Sequence, residues 1–246
     1  MNCVLGTLTT FGPYDDLEHV VREESQSVSI TAEARLGVEL PDTPYALWVR
    51  GELDDHLHLP DRLFRVEVIG GEIVVSPAPA LEHGGIVQDI TQRVVEALLR
   101  KPGFPWNCIQ GTGMDLVGIR DGYVPDLMLL DAETLRDARR ARVRYLVPDQ
   151  VELVIEVTSP SNANDDRKPA ALRTDPTKWN GYARAEIPYY LLVDRDPKAA
   201  LTTLFSIPDQ GTGAYLHEDS WAFGETIVLP DPIGLEIPTA EWTSWS

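Results

Sequence analysis

The chain predicts a mixed α/β (α+β) fold, a central mixed β-sheet flanked by helices with β-hairpin additions. Three stretches carry that prediction. Leu63–Ile69 and Glu72–Ser76 are alternating β-branched runs around Gly70-Gly71, a strong hairpin signal. Leu81–Lys101 sets Ile86, Val87, Ile90, Val94, Val95, Leu98 and Leu99 at helical spacing, which predicts an amphipathic helix with one apolar face. Glu152–Val157 and Tyr189–Asp194 are apolar runs of strand length.

In chain order, residues 1–44 are acidic and weakly periodic, and read as an N-terminal extension with one strand around Ser27–Ile30. Residues 45–246 form the expected domain. Tyr45–Asp61 reads as helical or irregular and carries His56 and His58. Pro77 and Pro79 end the hairpin, and Pro102-Gly103 stops the long helix. Short strands are expected at Asn107–Gln110, Met114–Ile119 and Tyr123–Leu130, and a short basic helix at Ala132–Arg144. Ser159–Thr177 is polar and proline-bearing, and reads as an inserted loop. Lys178–Glu186 should be helical, closed by Ile187-Pro188. Leu201–Ile207 adds a strand, and Tyr215–Ile237 two or three more in hairpin style.

Of 246 residues, 43% are apolar, enough for a sizeable core, and no run approaches the roughly 18 apolar residues of a membrane span. Two cysteines, Cys3 and Cys108, make no disulfide framework, so the expected location is a reducing cytoplasm. No Cys/His spacing points to zinc, and no Walker-type or dinucleotide glycine loop is present. The net charge of −18 argues against indiscriminate nucleic-acid binding. Its distribution is uneven: 16 of the 21 Lys and Arg residues fall between Arg93 and Lys198. Arg136, Arg139, Arg140, Arg142 and Arg144 read as a solvated face, or as a local surface for a polyanion.

Glu156 stands inside the apolar run Glu152–Val157. An unpaired carboxylate buried there costs several kcal/mol or is neutralised, so it calls for a partner or a metal. Asp126, beside the apolar run Leu127–Leu130, is the natural partner. Two acids on neighbouring strands suggest a divalent-cation site, with the carbonyl of Val157 as a further oxygen. Lys178 is the candidate cation, with Tyr182 four residues on along the same helical face.

Val124-Pro125-Asp126, Val154–Ser161, Lys178-x-x-x-Tyr182 and Ile187-Pro188-x-Tyr190-x-x-Val193-Asp194 together resemble the Uma-type family of proposed endonucleases. Arg65–Pro77 and His83 match its opening segment, and the resemblance spans roughly residues 45 to 237. It implies a restriction-endonuclease-like core of the PD-(D/E)xK superfamily, with Mg²⁺ or Mn²⁺ at the acidic pair. Asp126 would be the PD aspartate and Glu156 the (D/E) glutamate. The superfamily lysine should stand two residues after the glutamate, where this chain has Thr158; Uma-type proteins carry it on the following helix, which Lys178 fits. Lys168, beside Asp165-Asp166, is the rival. Glu67 or Glu72 would face the site from the hairpin. His83 would be a helix-start polar residue, a metal-site neighbour or a general base.

The resulting expectation is a Mg²⁺-dependent DNA endonuclease acting as a homodimer, with Asp126, Glu156, Lys178, Tyr182 and His83 as the site. The competing expectation is a nuclease-fold scaffold without turnover, favoured by the acidity and by Thr158.

Overall fold

The computed structural model describes residues 29–30, 40–57, 59 and 64–245. Most of the expected extension, Cys3 included, lies outside the described residues, as does His58 of the following segment. So does the start of the expected strand at Ser27–Ile30, of which Ser29–Ile30 (β1) is described.

Asymmetry of the apolar pattern explains where the helices lie. Leu127–Asp131 (β7), Leu153–Val157 (β8), Tyr189–Asp194 (β9), Leu201–Asp209 (β10) and Ala214–Ala222 (β11) join Trp106–Ile109 (β4) in a six-stranded sheet, ordered β11-β10-β9-β8-β7-β4. All its pairings are antiparallel except β8 with β9. A strand covered on both faces is apolar at every position rather than alternately. β8 fits: all five of its residues are buried. Leu153, Ile155 and Val157 face the helix Leu81–Arg100 (α3), while Val154 faces the opposite layer.

α3 buries Ile86, Val87, Ile90, Val94 and Ala97. Val95, Leu98 and Leu99 are exposed, so the apolar face is narrower than its sequence pattern implied. The strands Thr226–Val228 (β12) and Glu236–Pro238 (β13) close the same core as a two-stranded sheet.

On the other face lie Ala132–Ala141 (α4) and Lys178–Arg184 (α6). A second sheet of five strands completes this layer. It comprises β1, Arg65–Ile69 (β2), Glu72–Ser76 (β3), Met114–Leu116 (β5) and Asp121–Tyr123 (β6), in the order β1-β3-β2-β6-β5. The expected central mixed sheet is the six-stranded one; the five-stranded sheet beside it was not expected. The expected single strand Tyr123–Leu130 is two, β6 and β7, one in each sheet, because Val124-Pro125-Asp126 leaves the ladder between them.

β2 carries that division in its own alternation. Val66 and Val68 face Leu47 and Trp48 of the helix Pro44–Arg50 (α1), while Ile69 faces the main core. A short helix Leu53–Leu57 (α2) follows α1, so Tyr45–Asp61 is largely helical where it is described. The Ser159–Thr177 segment is not wholly a loop: Ala163–Asp166 (α5) forms one helical turn. Bidentate bonds from Arg167 to Asp194 at 2.6 and 2.7 Å tie that turn to the end of β9. Tyr190 adds a bond to the Asp166 carbonyl at 2.8 Å.

Candidate active site

Alternation along β8 sends Glu156 to the same face as Val154, into the core beneath α6 rather than toward α3. Glu156 is fully buried. Lys178 and Tyr182, one helical turn apart on α6, both reach its Oε1: Tyr182 donates its hydroxyl at 2.6 Å and Lys178 Nζ approaches at 3.1 Å. Glu156 Oε2 is buried with no hydrogen-bond partner among the described residues.

Asp126 sits at the bend between the two sheets. Its Oδ2 accepts the Val157 amide at 2.8 Å. Its Oδ1 accepts Arg65 Nη2 at 2.7 Å and lies 3.2 Å from His83 Nε2, in the first turn of α3. Arg65 Nη1 also donates to the Val124 carbonyl at 2.9 Å, and Glu67 Oε1 accepts the Val124 amide at 2.7 Å. Two residues of β2 therefore hold both polar groups of Val124, which fixes the bend that delivers Asp126.

Glu67 makes a second contact, to Lys178 Nζ at 2.8 Å, and Asp166 of α5 stands 3.5 Å from the same nitrogen. Lys178 is thus ringed by Glu67, Glu156 and Asp166, all buried. Burial works against its cation, but the carboxylates, Glu156 foremost, hold its pKa well above the ordinary lysine value. It is a fixed positive charge, unsuited to act as a base near neutral pH. Burial is also the largest influence on Glu156 and lifts its carboxyl to about 7, against the opposing charge of Lys178. Asp126 behaves oppositely. Burial pushes it up, but the His83 hydrogen bond, the Arg65 charge and the Val157 amide outweigh that and hold its carboxyl well below the usual range. Adjacent acids with pKa values driven apart are a common feature of functional sites.

The structure brings Asp126, Glu156, Lys178, Tyr182 and His83 into one buried cluster. Val157 adjoins it with its amide already bonded to Asp126. Lys168 is outside: its Nζ pairs with Glu218 at 3.1 Å on the surface. Of the two hairpin acids, Glu67 faces the cluster and Glu72 is exposed. Thr158 points elsewhere, its hydroxyl accepting the Arg195 amide at 2.9 Å. Two members were not assigned from sequence, Arg65 and Asp166. Period-two alternation from Glu67 would have found Arg65; nothing in the loop pattern singled out Asp166.

Hard-oxygen acceptor capacity remains on Glu156 Oε2, and Asp126 Oδ2 accepts only one bond, a donor set that fits Mg²⁺ or Mn²⁺. Among the described residues, no group of three or more His, Cys, Asp or Glu side chains could hold a metal ion, so the protein would supply no closed cage.

A mixed α/β protein with a buried Asp/Glu/Lys cluster where two sheets meet is the class these observations define. A family model described as "Uma2: Putative restriction endonuclease" matches residues 53–240, and the chain belongs to that family. The resemblance read from its motifs is therefore correct. A crystal structure described as a putative nuclease belonging to DUF820, from Anabaena variabilis, is similar over 72% of this chain and 88% of that one, at 16% identity and a TM-score of 0.45. No match is found among curated proteins. Among the described residues, no helix is long and apolar enough to cross a membrane.

Proposed function

We propose that this protein hydrolyses phosphodiester bonds in DNA with Mg²⁺ or Mn²⁺ held by Asp126, Glu156 and the Val157 carbonyl. The observation that carries this reading is Glu156 Oε2, a buried acceptor in the same cluster as Asp126 with no hydrogen-bond partner among the described residues. A divalent cation there supplies Lewis acidity and lowers the pKa of water. Lys178 neutralises charge developing on the phosphate, since its surroundings keep it protonated. Tyr182 orients the Glu156 carboxylate through its 2.6 Å bond. His83 and Arg65 hold Asp126 ionised and in place. We place the reaction in the cytoplasm, on a homodimer. The β11 edge, paired on one side only among the described residues, supports that assembly, and sedimentation velocity tests it.

Plasmid nicking in Mn²⁺ is the test, comparing the native chain with Asp126→Ala and Glu156→Ala. Metal-dependent nicking lost in both variants is expected; equal nicking by all three refutes the mechanism.

One observation favours the alternative, a binding protein of nuclease fold without turnover. Glu156, Lys178, Asp166 and Glu67 are each no more than 1% exposed, so the cluster is closed to a bulky substrate. Calorimetry with Mn²⁺ and with single-stranded and duplex DNA separates the readings, because metal binding without affinity for either DNA and without cleavage belongs to the second.

A further inference from the structure

One cavity adjoins the acidic cluster. It is a cleft of about 420 Å³ whose lining includes Arg65 and Val124, Phe64, the Pro77-Ala78-Pro79 run, Arg144 and Tyr145. Glu67, His83, Asp126, Glu156, Asp166 and Lys178 are all buried, whereas the Arg65 side chain retains 19% exposure. The cluster therefore meets solvent at Arg65, and Arg65 opens into this cleft.

Its lining is chemically two-sided. Phe64 is 37% exposed, and Pro77, Ala78 and Pro79 are exposed, an apolar surface suited to a flat ring. Tyr145 stacks on Trp48 with centroids 4.2 Å apart, and the Arg144 guanidinium lies 5.3 Å from the Tyr145 ring centre. Arg144 donates to the Arg50 carbonyl at 2.8 Å and makes no ion pair with any described residue, which leaves its charge available to an anion. Asp54 also lines the cleft and offers an acceptor.

An aromatic and proline surface, an arginine with no ion pair among the described residues and an acceptor, within a space of single-ligand size, match a nucleotide better than any purely apolar or purely anionic ligand. We infer that this cleft seats one unpaired nucleotide of a nucleic-acid substrate, its base against Phe64 and the proline run and its phosphate toward Arg144. This deepens the nuclease reading and rests on it. A base stacked within a duplex does not fit such a cleft, so the substrate offers single-stranded or extruded bases.

The test is fluorescence anisotropy with a labelled DNA of about 12 nucleotides, single-stranded or annealed to its complement, in calcium buffer. The full chain is compared with Phe64→Ala, Arg144→Ala and the control Arg136→Ala, each checked by thermal melting. Single strand should bind more tightly than duplex. Phe64→Ala and Arg144→Ala should each weaken it by roughly fivefold or more, and Arg136→Ala by less than about twofold. Unchanged single-strand affinity in both cleft variants overturns the assignment, as does a wild-type preference for duplex. Its failure is distinguishable from that of the nuclease reading. Cleft-dependent binding without nicking removes the nuclease and leaves the cleft. Nicking that depends on Glu156 but not on the cleft does the reverse.

Discussion

Tyr182 donates its hydroxyl to Glu156 Oε1 at 2.6 Å, the same oxygen that Lys178 contacts at 3.1 Å from one turn earlier on α6. Because Glu156 is fully buried, this phenol is part of what makes its charge tolerable. Tyr182→Phe keeps the ring packing against Tyr123 and Tyr190 and removes only that bond. The expected loss is about 1.5 to 3 kcal/mol in urea unfolding, the range for bonds to charged groups. A midpoint equal to the native chain's would show that the bond contributes nothing.

Lys178 compensates three buried carboxylates at once, Glu67 at 2.8 Å, Glu156 at 3.1 Å and Asp166 at 3.5 Å. Lys178→Met fills similar volume but removes the cation in contact with those carboxylates and leaves Arg65 as the nearby opposing charge, a loss of about 3 to 5 kcal/mol. The loss should be larger at pH 8 than at pH 5, because protonation of the acids relieves the deficit. Equal destabilisation at the two pH values contradicts the ion-pair account.

Glu156 itself sets a pH dependence with a definite sign. Its folded carboxyl, lifted by burial to about 7, lies above its ordinary value of 4.5, so the folded state holds the extra proton between the two. The stability this contributes is present below about 4.5 and is lost as pH rises through about 7, on the order of 3 kcal/mol at most. In metal-free buffer the native chain should therefore lose stability from pH 5 to 8, and Glu156→Gln should lose less. Mn²⁺ should raise the melting temperature more at pH 8 than at pH 5.5, since a ligand carboxyl must be deprotonated. Identical slopes for the native chain and Glu156→Gln rule out Glu156 as the titrating group.

The sequence made some of this cluster legible and hid the rest, for physical reasons. Glu156 was conspicuous because strand β8 is apolar on both faces, and Lys178 and Tyr182 share a face by their spacing of four. Those are local periodicities. Glu67 was left open against Glu72 because the turn between them hides which face of the hairpin meets the second layer. Asp166 depends on Arg167 reaching Asp194 across the fold, a contact with no local signature. The division into two sheets was missed because Val124-Pro125-Asp126 reads as strand on either side.

Gly181 of α6 shows how closely that helix is seated, and gives a test that substitutes no residue of the charged cluster. A Cβ at this position would overlap the hydroxyl and ring of Tyr123. Tyr123 cannot easily yield, being fully buried with its hydroxyl bonded to Asp121 at 2.9 Å, and Asp121 also accepts the Gly70 and Gly71 amides. On helix propensity alone, Gly181→Ala should stabilise by up to about 1 kcal/mol. Overpacking against Tyr123 costs about 1 to 3 kcal/mol, so net destabilisation is expected. Because α6 carries Lys178 and Tyr182, any shift of the helix also moves both away from Glu156. Gly181→Ala should therefore lower Mn²⁺ affinity in calorimetry as well as the unfolding midpoint. A variant more stable than the native chain would mean that α6 is not held against Tyr123 in solution.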